Sequence, residues 1–320
     1  MTFETVKFGN FATLYRGDAF EILPTLNDGE IDMVASDPPY AAESFGGKCT
    51  ACDWDTPVDL PALWQLVNRK TKPSANIVLF GNMKFAFDLI DSNQKGFRYD
   101  LCWCKNNRVG FFNANLQPLR AHENILVFGK PGGMVTSTYN AIKVPGGRPR
   151  VNRVKSRKSG GVYPASQVPH TTISDGDVNP ISVLAFDKDT RQPHWCAHPT
   201  QKPESLLGYL LMLYSNENDL ILDPFMGSCT TGSAAMKLNR RFIGIEKEKE
   251  FFDISCRRLE EVWKRKTARR LTYISFPTNP TDAEQTAPEL VSADELTLEY
   301  QNCDNKIETD EDPKQPAQDP

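Results

Sequence analysis

Short apolar runs recur along this chain, each closed by a turn or followed by a stretch with apolar positions at helical spacing. The runs fall at 11–15, 31–35, 76–81, 97–104, 124–128, 220–222 and 241–245, and helical periodicity falls at 19–26, 60–69, 203–214, from the turn at 223–232 through about 237, and at 250–266. Runs this short and this apolar belong to strands buried on both faces, which a sheet provides only when helices cover both sides. Strands alternating with helices then pair in parallel through right-handed crossovers. From 131 to about 193 the texture changes to Gly, Pro, Ser and Arg without sustained periodicity. The expected organisation is an α/β domain in two halves, 1–128 and 197–275, separated by a basic insert at 129–196 and followed by a tail at 276–320.

Two of the turns carry chemistry. The first is Asp37-Pro38-Pro39-Tyr40, directly after a buried run. An aromatic exocyclic amine is a weak nucleophile because its lone pair is delocalised into the ring, so it must be held, repolarised and aimed. Asp37 offers a carboxylate to one N–H. Consecutive prolines remove backbone donors and leave the Pro38 carbonyl to accept the other, with Pro39 fixing the turn. Tyr40 is placed to stack on the ring of a base. The second turn, Asp223-Pro224-Phe225-Met226-Gly227-Ser228-Cys229-Thr230-Thr231-Gly232, joins a strand to a helix, where free backbone N–H groups receive a carboxylate or a ribose oxygen. Nineteen residues beyond Gly227, Glu246 closes the next strand, the position from which an acid accepts hydrogen bonds from ribose hydroxyls in nucleotide-binding βαβ units.

Charge points to the partner. The formal net charge of −4 is concentrated in the segment from Phe276 to Pro320, which holds twelve acidic residues against Lys306 and Lys314. The rest carries 35 basic and 29 acidic residues, a balance of +6. The tail is poor in large apolar residues and rich in Pro, Gln and Thr, the composition of a disordered segment. Lys143, Arg148, Arg150, Arg153, Lys155, Arg157 and Lys158 crowd one stretch with no acid among them, a pattern that neutralises phosphates. No run approaches the roughly 18 apolar residues of a membrane span, and a cytoplasmic location is expected. The eight cysteines are irregularly spaced and do not form a disulfide framework. Cys49, Cys52, Cys102 and Cys104 depart from zinc-ligand spacing, so no metal is expected.

In their order, Val34 to Tyr40, then His198-Pro199-Thr200-Gln201-Lys202-Pro203, then Asp223 to Gly232, these segments resemble an amino-group DNA methyltransferase of the β arrangement, in which the catalytic turn precedes the cofactor turn. Smaller matches are Tyr15 to Asp18, Ala121 to Phe128 and Phe242 to Glu246. The resemblance implies a Rossmann-like, seven-stranded, mostly parallel methyltransferase sheet with permuted motif order and an inserted target-recognition region. It implies S-adenosylmethionine as cofactor, with Asp18 near its adenine, Thr200 and Lys202 near its methionine end, Glu246 at its ribose, and Asp223, Pro224, Phe225, Gly227, Ser228 and Thr230 forming the turn around it. Asp at the first position of the catalytic turn is usual for adenine N6 transfer, Ser for cytosine N4. The implied activity is site-specific adenine N6 methylation of double-stranded DNA with the base flipped out; the alternatives are cytosine N4 transfer and a DNA-binding protein without turnover. A homodimer and a cognate restriction nuclease are left open. Cys229 departs from the family, which commonly has a second glycine there. Phe111, Phe112 and Trp54 are expected in the core rather than in a base pocket.

Overall fold

A computed structural model describes residues 3–41, 56–130, 137–145, 148–154, 170–188 and 201–274. Thr200, Lys155, Arg157, Lys158, Cys49, Cys52, Trp54 and the acidic tail lie outside the described residues.

The chain opens with strands β1 (Glu4–Phe8) and β2 (Ala12–Arg16), helix α1 (Ala19–Ile22) continued by a 3-10 turn, and β3 (Ile31–Ser36). Helix α2 (Leu60–Lys70), β4 (Thr71–Gly81), α3 (Met83–Ser92), β5 (Phe97–Val109) and β6 (Arg120–Gly129) complete the first half. Short strands β7 (Val144–Pro145), β8 (Arg150–Val154), β9 (His170–Ser174), β10 (Asp177–Val178) and β11 (Val183–Ala185) follow, then α4 (Glu204–Tyr214), β12 (Leu220–Asp223), α5 (Thr230–Lys237), β13 (Arg241–Glu246) and α6 (Lys249–Ile274).

The seven apolar runs become seven adjacent strands in the order β2-β13-β12-β3-β4-β6-β5, extended by β1 at one edge and β11 at the other. Pairing is parallel from β2 through β4 and between β5 and β11, while β6 runs antiparallel to both neighbours and β1 to β2. Period-2 alternation divides the core between the two faces. Met33, Ala35, Val78 and Phe80 pack with Leu206, Leu210 and Phe252 from the helices of the second half. Val34, Ile77 and Leu79 pack with Ile22, Trp64 and Leu89 from the helices of the first.

In the insert, β8 pairs with β9 and β7 with β10, as two antiparallel ribbons. Asn140 anchors its start by donating to the carbonyls of Met212 and Ser215 at the end of α4. At the centre of the sheet, β3 and β12 are neighbours whose onward connections run to opposite sides, to β4 and to β13. A crevice opens at the carboxyl ends of strands where sheet order reverses in this way. No helix among the described residues is long and apolar enough to cross a membrane.

Candidate active site

Both turns emerge at this switch point. The Ser36 hydroxyl, last in β3, donates to Asp223 Oδ1, last in β12, at 2.6 Å, and the Phe225 N–H donates to the same oxygen at 3.2 Å. Burial raises the Asp223 carboxyl to about 6 against the pull of these donors. A cavity of about 460 Å³ lies above this junction, and Asp18, Asp37, Pro38, Tyr40, Gly227 and Glu246 all line it. Pro39, Lys202, Pro224, Phe225, Ser228 and Thr230 contribute to the same wall, with Phe80 from β4 and Phe251 from α6.

The nucleotide-binding end is built from backbone. Gly227 has φ +51°, a conformation that costs a Cβ-bearing residue roughly 1 to 2 kcal/mol. Its N–H donates to Glu246 Oε2 at 2.9 Å, and the Glu248 N–H donates to Oε1 at 2.8 Å. Burial nevertheless raises the Glu246 carboxyl to about 7. Asp18 caps α1 by accepting from the Phe20 N–H at 2.9 Å and pairs with Lys247 at 3.3 Å. Gln201 Oε1 accepts from the Ser228 hydroxyl at 2.9 Å and from Arg258 at 2.7 Å, tying the segment before α4 to the glycine turn and to α6. Cys229, the departure from the family pattern, has φ +60° and is fully buried, with its sulfur packed beside Gly232 and away from the cavity.

The other end is an ion cluster. Lys202, 5% exposed, donates to Asp37 Oδ2 and lies 3.4 Å from Glu123 Oε2 on β6. Lys105 on β5 donates to Glu123 Oε1, and the Tyr40 hydroxyl donates to Glu123 Oε2 at 3.4 Å. The Lys202 ammonium also lies 5.2 Å from the centroids of the Tyr40 and Phe80 rings. Burial pushes the Asp37 carboxyl up, Lys202 pulls it back and Glu123 pushes it up again. Burial acts on Glu123 in the same sense, but Lys202 and Lys105 outweigh it and hold its carboxyl below the usual value. On Lys202, Asp37 and Glu123 outweigh burial and hold the ammonium above its usual value. Asp37 Oδ1 is buried and accepts no hydrogen bond. Asp37 itself lines the cavity together with Gly227 and Glu246, and an N–H donor brought to that acceptor would satisfy it.

The structure thus brings Asp37, Pro38, Pro39 and Tyr40 of one turn and Asp223, Pro224, Phe225, Gly227, Ser228 and Thr230 of the other to one cavity. It places Lys202 against Asp37, on the wall of the same cavity. Tyr40 already stacks on Phe85, ring centroids 5.6 Å apart, so one face of its ring is covered. Sequence reasoning missed Glu123, Lys105, Gln201 and Arg258 as parts of the site. Glu123 and Gln201 lay within quoted segments, but no local pattern marks a carboxylate that acts through a lysine 79 residues away or an amide that ties two distant elements. Lys143, Arg148, Arg150 and Arg153 are exposed on the insert. Phe111 and Phe112 contradict the expectation of core positions: they are 68% and 104% exposed, because they occupy the tip of the β5–β6 hairpin, beyond the helices that cover the sheet.

The model of the N6/N4 DNA methylase family matches residues 31–257. The chain is 28% identical over 270 residues to the type II methyltransferase M.HinfI of Haemophilus influenzae, covering 78% of this chain and 68% of that protein. Among solved structures it is similar to M1.HpyAVI in complex with SAM, at 25% identity, a TM-score of 0.51, and coverage of 78% of this chain and 98% of the other. The cytosine-N4-specific PvuII DNA methyltransferase shares the fold at a TM-score of 0.58 and 16% identity, over 82% of this chain and 96% of that one.

Proposed function

Because this chain belongs to the N6/N4 DNA methylase family, we propose that it transfers a methyl group from S-adenosylmethionine to the N6 amine of adenine in a specific double-stranded DNA sequence. The observation that carries this reading is the unpartnered, buried Oδ1 of Asp37, a residue that lines the same cavity as the Gly227–Glu246 nucleotide corner. An acid, rather than Ser, at the first position of the catalytic turn supports adenine over cytosine.

S-adenosylmethionine supplies an electrophilic methyl on a cationic sulfur and leaves as a neutral thioether. Glu246 would accept from its ribose hydroxyls, Asp18 would lie towards its adenine, and the turn at Gly227 and Ser228 would take its backbone-facing side. The residues present fit such a group: a carboxylate at the strand end, a left-handed glycine and an open cavity meet at one place. Asp37 Oδ1 and the Pro38 carbonyl accept the two N–H bonds of the target amine, which localises its lone pair for attack. Lys202 clamps the other Asp37 oxygen and so fixes the carboxylate plane; Glu123 and Lys105 fix Lys202. Tyr40 borders the place of the base, its ring held by Phe85 and the Lys202 ammonium. The amine loses its proton after transfer, so no strong base is needed. Phosphate binding by Lys143, Arg148, Arg150 and Arg153 positions the duplex, and the substrate's location makes the cytoplasm the site of action.

Tritiated methyl transfer into DNA, followed by nucleoside analysis, tests the reading. Label is expected in N6-methyladenine, and Asp37→Asn is expected to reduce kcat by about 100-fold or more while cofactor binding persists. Label in N4-methylcytosine, or full activity in the variant, would overturn it.

A further inference from the structure

The β5–β6 hairpin ends in an exposed tip. Its last register pair is Val109 with Arg120, and all residues from 108 to 118 are exposed. Phe111, Phe112 and Leu116 are 68%, 104% and 85% exposed, three large apolar side chains within six residues whose exposure water does not favour. The hairpin also has a defined address. Three residues from Arg120 along β6, away from the tip, is Glu123, which touches Tyr40 and Lys202, so the hairpin is rooted on two residues that line the cavity.

The surroundings select the occupant. Residues 105–120 contain Lys105, Arg108 and Arg120 and no acid, and the tip interleaves its apolar side chains with Asn113, Asn115 and Gln117. Cationic flanks suit a polyanion, aromatic and aliphatic tips suit the faces of stacked bases, and side-chain amides suit the hydrogen-bonding edge of a base that has lost its partner. A base that enters the cavity from a duplex leaves a gap of that description.

We propose that Phe111, Phe112 and Leu116 form a wedge that enters the DNA stack where the target base has left it, with the neighbouring amides meeting the orphaned partner base. This rests on the methyltransferase reading but is separable from it. The wedge contributes only where a stacked, paired base must be extracted. Its value therefore falls when the target is already unpaired.

The test uses full-length protein, and a duplex selected by binding from random sequences, carrying 2-aminopurine at each adenine in turn. Wild-type protein is expected to raise the fluorescence at one position, and the Phe111→Ser/Phe112→Ser variant to lose most of that rise. Methylation of the matched duplex by the variant should fall about tenfold or more, and the deficit should shrink to within about threefold when the target lies opposite a mismatch. Leu116→Ser should shift both readouts in the same direction. Wild-type fluorescence enhancement without methyl transfer defeats the enzymatic reading alone. Undiminished fluorescence in the variant, no enhancement by the wild type, an equal deficit on matched and mismatched DNA, or a changed oligomeric state with unchanged fluorescence defeats the wedge.

Discussion

At the scale of single residues, the site is governed by which carboxylates keep their charge. Asp37 and Glu123 share one buried ammonium; when it is removed Glu123 keeps Lys105, but Asp37 is left without a counter-charge in a poorly solvated pocket. Lys202→Met is expected to move the acid limb of the kcat profile upward by about one pH unit or more, since an opposite charge has been lost. Activity lost at neutral pH should partly return in alkaline buffer, and a pH profile checks this. A deficit that is constant with pH would assign Lys202 a merely spatial role. Glu246 titrates near neutrality for a different reason, burial. Its folded value of about 7 lies above its ordinary 4.5, so its contribution to the stability of the free protein is present at low pH and is lost as pH rises through about 7. Ribose hydroxyls need the ionised form as acceptor. S-adenosylmethionine affinity is therefore expected to rise as pH climbs from 6 to 8, and Glu246→Gln should flatten that rise in calorimetric titrations.

At the scale of elements, the glycine turn is a packing unit as well as a ligand cradle. A Cβ on Gly232 would lie 2.4 Å from the Cys229 sulfur and 2.7 Å from the Phe242 ring. Gly232→Ala is accordingly expected to destabilise the fold by about 1 to 3 kcal/mol in urea melts, the ordinary cost of overpacking. Cys229→Gly should leave cofactor affinity unchanged, because the thiol points into the core. The order of strands and helices was legible because each has its own short pattern, and the one additional strand of the first half, β1, follows from the apolar Val6 and Phe8 only once β2 is there to pair with it. Helix α3 was missed although Asn82 caps it, because its apolar run merges with that of β4. The insert hid β11 altogether: three residues make a strand only because β5 offers them a partner edge.

At the scale of the whole molecule, charge is divided by region. The strongly acidic tail follows a body of opposite sign, and the described basic residues of the insert project from the β8–β9 ribbon and the segment before it. Arg150→Ala and Arg153→Ala are expected each to lower the slope of log affinity against log salt by about one for any DNA sequence, with cofactor affinity unaltered. Fluorescence anisotropy over a salt series checks it. Unchanged slopes would remove those arginines from the phosphate contacts.

What the amino-acid sequence determined by itself is local. Hydrophobic periodicity within a dozen residues dictated the α/β alternation, and proline and glycine, which restrict or free their own backbone, dictated the two turns that carry the chemistry. What the tertiary structure alone decided is which distant groups share a dielectric environment. Asp37 and Lys202 are 165 residues apart, and Glu123 reaches both only because β6 runs antiparallel beside β4. The exposure of Phe111 and Phe112 was decided in the same way. Whether an apolar side chain is covered depends on what the fold places over it, and no described helix covers the tip of that hairpin.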